Sequence, residues 1–167
     1  GQLFKYKRSH TEGGNAVETG RGALEEVASP GQTGIACLRY ERAGLFLDIG
    51  DSDSASALAI QALNCFVVMS DKVGMAKAEN LLGQIAMSKK DFGSAQQRFE
   101  RASELFRATR DMIGVAIVLN NQGVMHRRRH LEHDGESPEH LQQAAANLEN
   151  ALAIRKELND LMGQAET

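Results

Sequence analysis

Asp71-Lys-Val-Gly74 and Asp111-Met-Ile-Gly114 open two helix-forming stretches forty residues apart, and Asp160-Leu-Met-Gly163 repeats the motif forty-nine residues later. The longer interval equals forty plus an insertion of nine. A fixed period of this length marks a stacked repeat protein, because one short unit cannot bury its apolar face alone and its neighbours must complete the core. Each Asp stands where an N-cap belongs, ready to accept from the free amides of the first helical turn. Each Gly follows three residues on, where a missing side chain would let the preceding helical pair approach.

Working outward, the pattern predicts helices over 35–49, 54–69, 72–89, 91–109 and 112–130. Leu131-Glu-His-Asp-Gly-Glu136 reads as the inserted loop. Ser137-Pro138-Glu139 then restarts a helix, with Ser as N-cap, Pro at the first helical position and Glu in the first turn. That sixth helix is expected to end near Leu158, with Asp160 opening a seventh. The third copy thus implies a stack that continues past Thr167. Residues 1–33, punctuated by Gly13, Gly14, Gly20, Gly22 and Gly31, with Gly34 just beyond, and by Pro30, read as a linker or loosely docked extension in which only Ala23–Ala28 looks helical.

The second helix of each pair carries the clearest periodicity. Phe92, Ala95, Phe99, Ala102 and Phe106 fall on one helix face. Ala55, Ala59, Ala62 and Phe66 precede the last four by forty. Ala144, Leu148 and Ala151 follow Ala95, Phe99 and Ala102 by forty-nine. Such an aromatic stripe is core rather than a cofactor box.

These residues resemble the tetratricopeptide repeat family. Leu82-Gly83 matches the family's Leu-Gly in the first helix, and Ala95, Phe99 and Ala102 match its second-helix signature. Repeat three keeps Gly123 but has Gln122 for the Leu, and repeat one has Arg42-Ala43. The period is similar to the longer-helix variety of kinesin light chains and spindle-orienting adaptors, as is the run Leu119-Asn-Asn-Gln-Gly123. The resemblance covers residues 34–167, with repeats at about 34–70, 71–110, 111–159 and a partial 160–167. It implies an all-α right-handed superhelix of stacked antiparallel helix pairs, an α-solenoid. It also implies a protein-interaction module, an adaptor or scaffold binding a peptide or helix in a concave groove. The alternative is a regulatory or sensory domain of a larger enzyme or transcription regulator.

Carried over by alignment, the groove positions are Tyr40, Glu41 and Asp48 in repeat one. Repeat two supplies Lys77, Asn80 and Gln84, and repeat three Asn120, Asn121, Arg127 and Arg128. Asparagine offers donor and acceptor to an extended peptide backbone. Lys and Arg attract carboxylates, so the expected partner is a protein or peptide, with an acidic preference near Lys77, Asn121 and Arg127. The plain alternative is that these are solvated helix residues. The family's full carboxylate clamp is not reproduced.

The bulk composition fits this class. The 167 residues are 42% hydrophobic and 25% charged, with two Pro, no Trp and a formal net charge of −3. So weak a charge gives no global pull toward nucleic acid or an acidic membrane. No apolar run reaches membrane-spanning length, and a cytoplasmic residence is expected. Cys37 and Cys65, in apolar helical segments, read as small buried hydrophobes.

Other signals are weaker than they look. His126 and His130 are spaced i, i+4, with His133 and His140 near, but Arg127, Arg128 and Arg129 oppose metal entry, so no metal site is expected. The short Arg run lacks interleaved aromatics and suits a helix C-terminus. Gly20-Arg-Gly22 lacks the third glycine and the preceding strand of a dinucleotide fingerprint. No nucleophile elbow, Walker loop or His-Glu-x-x-His occurs, so neither catalysis nor a cofactor is expected in this segment. Self-association through the incomplete last repeat is a further expectation.

Overall fold

The computed structural model describes residues 30–132 and 138–165, with residues 30 and 160–165 as backbone only. Six helices and no strand occur among the described residues. They are α1 (Pro30–Asp48), α2 (Ser52–Val68), α3 (Lys72–Ser88), α4 (Phe92–Ala108), α5 (Met112–Glu132) and α6 (Pro138–Ala165). No helix among them is long and apolar enough to cross a membrane.

The first four turns share one construction. Gly50, Ser70, Lys90 and Arg110 adopt φ of 86°, 54°, 62° and 58°. Each of their amides donates three residues back, to the carbonyls of Leu47, Val67, Met87 and Arg107. The amide of the following Asp donates five back, to Phe46, Phe66, Ala86 and Phe106. This pair of bonds closes a helix through a left-handed residue. The same Asp then caps the next helix. Asp51, Asp71, Asp91 and Asp111 accept from the amides of Ser54, Gly74, Ser94 and Gly114 at 3.0, 2.9, 2.9 and 2.8 Å. Hydrogen bonds from Ser54 and Ser94 hold the Asp51 and Asp91 carboxyls below their ordinary range. α2, α3 and α4 each have 17 residues. The structural unit is therefore twenty residues, a helix and a three-residue turn, and forty is two such units.

The turns fold each helix back on the one before. The small stripe predicted on the second helices is buried: Ala55, Ala59, Ala62 and Phe66 on α2, and Ala95, Phe99, Ala102 and Phe106 on α4. Phe66 lies where a Cβ on Gly74 would go, and Phe106 where one on Gly114 would go. Phe99 occupies the same relation to Gly83, whose ideal Cβ would lie 2.6 Å from the Phe99 Cε1. At Gly123 the filling side chain is Leu148. Every helix packs on its sequence neighbours, and α3 also touches α1 and α5. One cluster, around Phe99, Phe106, Val118 and Met125, joins α3, α4 and α5, with Ile154 of α6 packed against it; two others, around Ala59 with Leu82 and around Ala62 with Phe66, join α1, α2 and α3.

Three expectations require correction. α6 runs unbroken to Ala165, so Asp160 opens no seventh helix. The earlier turns are pinned by Phe66 and Phe106, and the position forty-nine beyond Phe106 is Arg155, which is exposed and offers no ring to hold a returning helix. α1 begins at Pro30, inside the stretch read as linker, because Pro suits the first turn of a helix. Ala23–Ala28 lies outside the described residues. Cys37 is exposed, and Cys65 is half-buried with the Arg39 Nη1 donating to its Sγ at 3.0 Å. Cys37 precedes Lys77 by forty, and both stand on a face that no neighbouring helix covers.

The glycine contacts set opposite expectations for one substitution. Gly114→Ala forces a methyl against Phe106 and should cost about 2 kcal/mol, within the usual range for overpacking. Gly44→Ala, with nothing within 4 Å of the new Cβ, should gain about 0.5–1 kcal/mol from helix propensity alone. Urea unfolding followed by circular dichroism measures both.

Candidate functional site

α3 is the most enclosed helix, and its few solvent-facing residues define the candidate surface. Lys77 is exposed and Gln84 half-buried, while Asn80 between them retains only 7% of its surface. Asn80 is covered from α5: the Asn121 Nδ2 donates to the Asn80 Oδ1 at 2.9 Å. The bond leaves the Asn80 Nδ2 donor and the Asn121 Oδ1 acceptor for other partners. It ties together two helices that are not consecutive in the chain.

The other candidates fall around this pair at different depths. Asn120 is half-buried beside Asn121, and Arg127 and Arg128 are exposed on the last turns of α5. Arg128 lines a hollow with Met87, Lys90 and Glu132. There the Lys90 Nζ pairs with the Glu132 Oε1 at 2.8 Å. Each short turn reverses the chain, so α3 and α5 run the same way. Lys77 precedes Asn80 by three residues and Arg127 follows Asn121 by six. At about 1.5 Å per residue they flank the Asn pair on opposite sides, roughly 13 Å apart along the helices. The structure thus brings Asn80 and Asn121 together and spreads the cations to either end.

In repeat one the candidates separate. Glu41 and Asp48 are exposed, but Tyr40 is half-buried and packs with both α1–α2–α3 clusters. Burial, and next the Glu41 carboxylate, raise the Tyr40 hydroxyl above its ordinary value. Its ring is committed to packing.

Sequence reasoning passed over the most buried charge of this region. Glu79, 7% exposed, accepts from the Arg98 Nη1 at 2.8 Å, joining α3 to α4. Neither residue lies on a repeated position that the forty-residue comparison used, so no pattern singled them out.

The histidine cluster resolves into a stacked pair. His126 is buried, with its ring 6.0 Å from that of His140 on α6 and inclined by 26°. Neither Nδ1 atom makes a hydrogen bond among the described residues. Burial first, then His140 and Arg129, hold the His126 imidazole below its ordinary value. Among the described residues no three His, Cys, Asp or Glu side chains are grouped to hold a metal ion. His133 lies outside the described residues.

These features belong to an all-helical protein whose neighbouring helices pack in sequence order. No family model matches the chain, and no curated protein matches it.

Two expectations follow. Arg98→Met strands the buried Glu79 carboxylate and should cost about 3 kcal/mol, whereas Glu79→Met with Arg98→Met should recover most of that loss; thermal melts of the three variants give the comparison. His126, with its folded value depressed, adds stability that is full above the unfolded value near 6.5 and is lost as pH falls from there through the folded value. His126→Phe should flatten that part of a stability–pH profile.

Proposed function

We propose that this chain is a tetratricopeptide-type interaction module whose concave face, formed by α1, α3 and α5, binds an extended peptide. The observation that carries the reading is the Asn121–Asn80 hydrogen bond. It sets two carboxamides side by side on adjacent first helices, with the Asn80 Nδ2 left over as a donor group and the Asn121 Oδ1 as an acceptor. That is the complement of a peptide bond, which offers one acceptor and one donor. Support for the repeat reading comes from the forty-residue spacing, the buried Ala and Phe stripe, and the contacts of α3 with both α1 and α5.

The flanking cations sharpen the ligand. Lys77 and Arg127 lie roughly 13 Å apart by helical rise, and an extended chain advances about 3.3 Å per residue. A peptide centred on the Asn pair would therefore satisfy both cations with acidic side chains about four residues apart. The module would serve as an adaptor or scaffold for such acidic segments.

Fluorescence anisotropy with labelled peptides tests this. Peptides with Asp or Glu at i and i+4 should bind the full chain about tenfold more tightly than their Asn or Gln counterparts, and added salt should erase the difference. Lys77→Glu with Arg127→Glu, both exposed, should abolish the acidic preference without lowering the melting temperature. Unchanged affinity after Asn80→Ala with Asn121→Ala, in protein shown by circular dichroism to be folded, sinks the groove.

A further inference from the structure

α1 exposes positions that are core in the helices after it. Ile35, Leu38 and Leu45 are 49%, 60% and 64% exposed. Their counterparts forty residues later are Met75, Ala78 and Ile85, and eighty later Val115, Val118 and Met125. Met75 is half-buried, and all the others are buried. On α3 these positions pack against α2: Ala78 shares a cluster with Ala62 and Phe66, and Ile85 shares one with Ala55 and Ala59. Gly74 and Gly114 lie under Phe66 and Phe106, while nothing approaches Gly34, forty residues before Gly74, within 4 Å.

α6 shows the converse. Among the described helices it packs only on α5. Leu141, Leu148 and Leu152 are 46%, 40% and 52% exposed. Forty-nine residues earlier, on α4, stand Phe92, Phe99 and Ser103, the first half-buried and the others buried. α4 differs in touching helices on both sides, α3 and α5. So α1 bares the face on which a first helix receives a preceding second helix. α6 bares the face with which a second helix covers a following first helix. The two are halves of one kind of interface, already formed within the chain between α2 and α3 and between α4 and α5.

We propose that copies of this chain associate head to tail, with α6 of one copy covering α1 of the next. Phe66 meets Gly74 and Phe106 meets Gly114 across antiparallel helices. The same register sets Arg155 over Gly34, Leu152 beside Leu38, Leu148 beside Arg42 and Leu141 beside Ile49. Arg155 stands where the rings stand, and Arg42 where α3 has Leu82. Each can lay its apolar stem in the contact and keep its guanidinium in water. Pairing α1 with α1 of another copy would leave the α6 leucines bare, whereas the head-to-tail contact covers both faces. One helix on one helix, with two arginines in the seam, makes a small interface, so the association is weak and depends on concentration. Its two surfaces differ, so every added copy leaves a free face at each end and the series grows rather than closes.

Sedimentation equilibrium of the full chain, from about 10 µM to about 1 mM to span weak affinities, decides the matter. The weight-average mass of the wild type should rise past twice the monomer value without levelling. Leu38→Asp disables the α1 face and Leu152→Asp the α6 face, and each variant alone should stay monomeric. Mixed in equal amounts they should form a one-to-one dimer and nothing larger, because the first keeps its α6 face and the second its α1 face. Both leucines are exposed, and circular dichroism melts show that the variants are folded; Leu45→Asp and Leu141→Asp replace either one that is not. A wild type that stays monomeric throughout, or that levels at a dimer, overturns the proposal. Association that survives Leu152→Asp overturns it too, as does a mixture that stays monomeric where the wild type associates. No readout involves a peptide, so the outcome is separate from that of the groove.

Discussion

The fit of an aromatic ring over a glycine, beneath an aspartate cap, is the constraint on which this architecture depends. Phe66 on Gly74 and Phe106 on Gly114 bring consecutive helical pairs to backbone distance. The Asp three residues before each glycine closes the preceding helix with its amide and caps the next with its carboxylate. One residue therefore sets both the end of one helix and the start of another, and the glycine fixes how near they lie. Packing and turn geometry are not separate choices here. Two units, each a helix of 17 residues with a turn of three, place the next ring, Phe106, over the next glycine, Gly114.

The polar residues of the enclosed helices show how little of a buried surface is free for recognition. Asn80 meets Asn121, Glu79 meets Arg98, and Tyr40 gives its ring to the core. Each bond removes a buried group from the cost of being unpaired, which exceeds the net gain of most hydrogen bonds. What the Asn121–Asn80 bond leaves over is the Asn80 Nδ2 and the Asn121 Oδ1, with the exposed Lys77 and Arg127 toward either end. The proposed ligand follows from those leftovers rather than from the full set of polar residues on the surface.

Much of this was legible in the chain. The positions of α2 to α5 follow from the Asp caps and the Ala and Phe spacing, and their ends were found to within one or two residues. The shorter period was also there to be read, since Asp51, Asp71, Asp91 and Asp111 recur every twenty residues; comparison of whole pairs hid it. The errors have a common origin. Asp160 carries the motif without a ring ahead of it, and Cys37 sits in apolar sequence on a helix face that lacks a neighbour. In both cases local pattern stood in for a contact that was not there. The Asn80–Asn121 and Glu79–Arg98 bonds were beyond pattern altogether, because each joins residues on different helices through side-chain reach.

The sequence by itself determined the helices, their caps and the residues that must lie inside, because these depend on backbone hydrogen bonding and on apolar periodicity within a few turns of chain. Only the tertiary structure decided which polar groups are spent on one another, which core-like face on α1 is left bare, and that the last helix runs on without a turn. Those outcomes rest on whether a second element arrives to make the contact, and no local spacing carries that information.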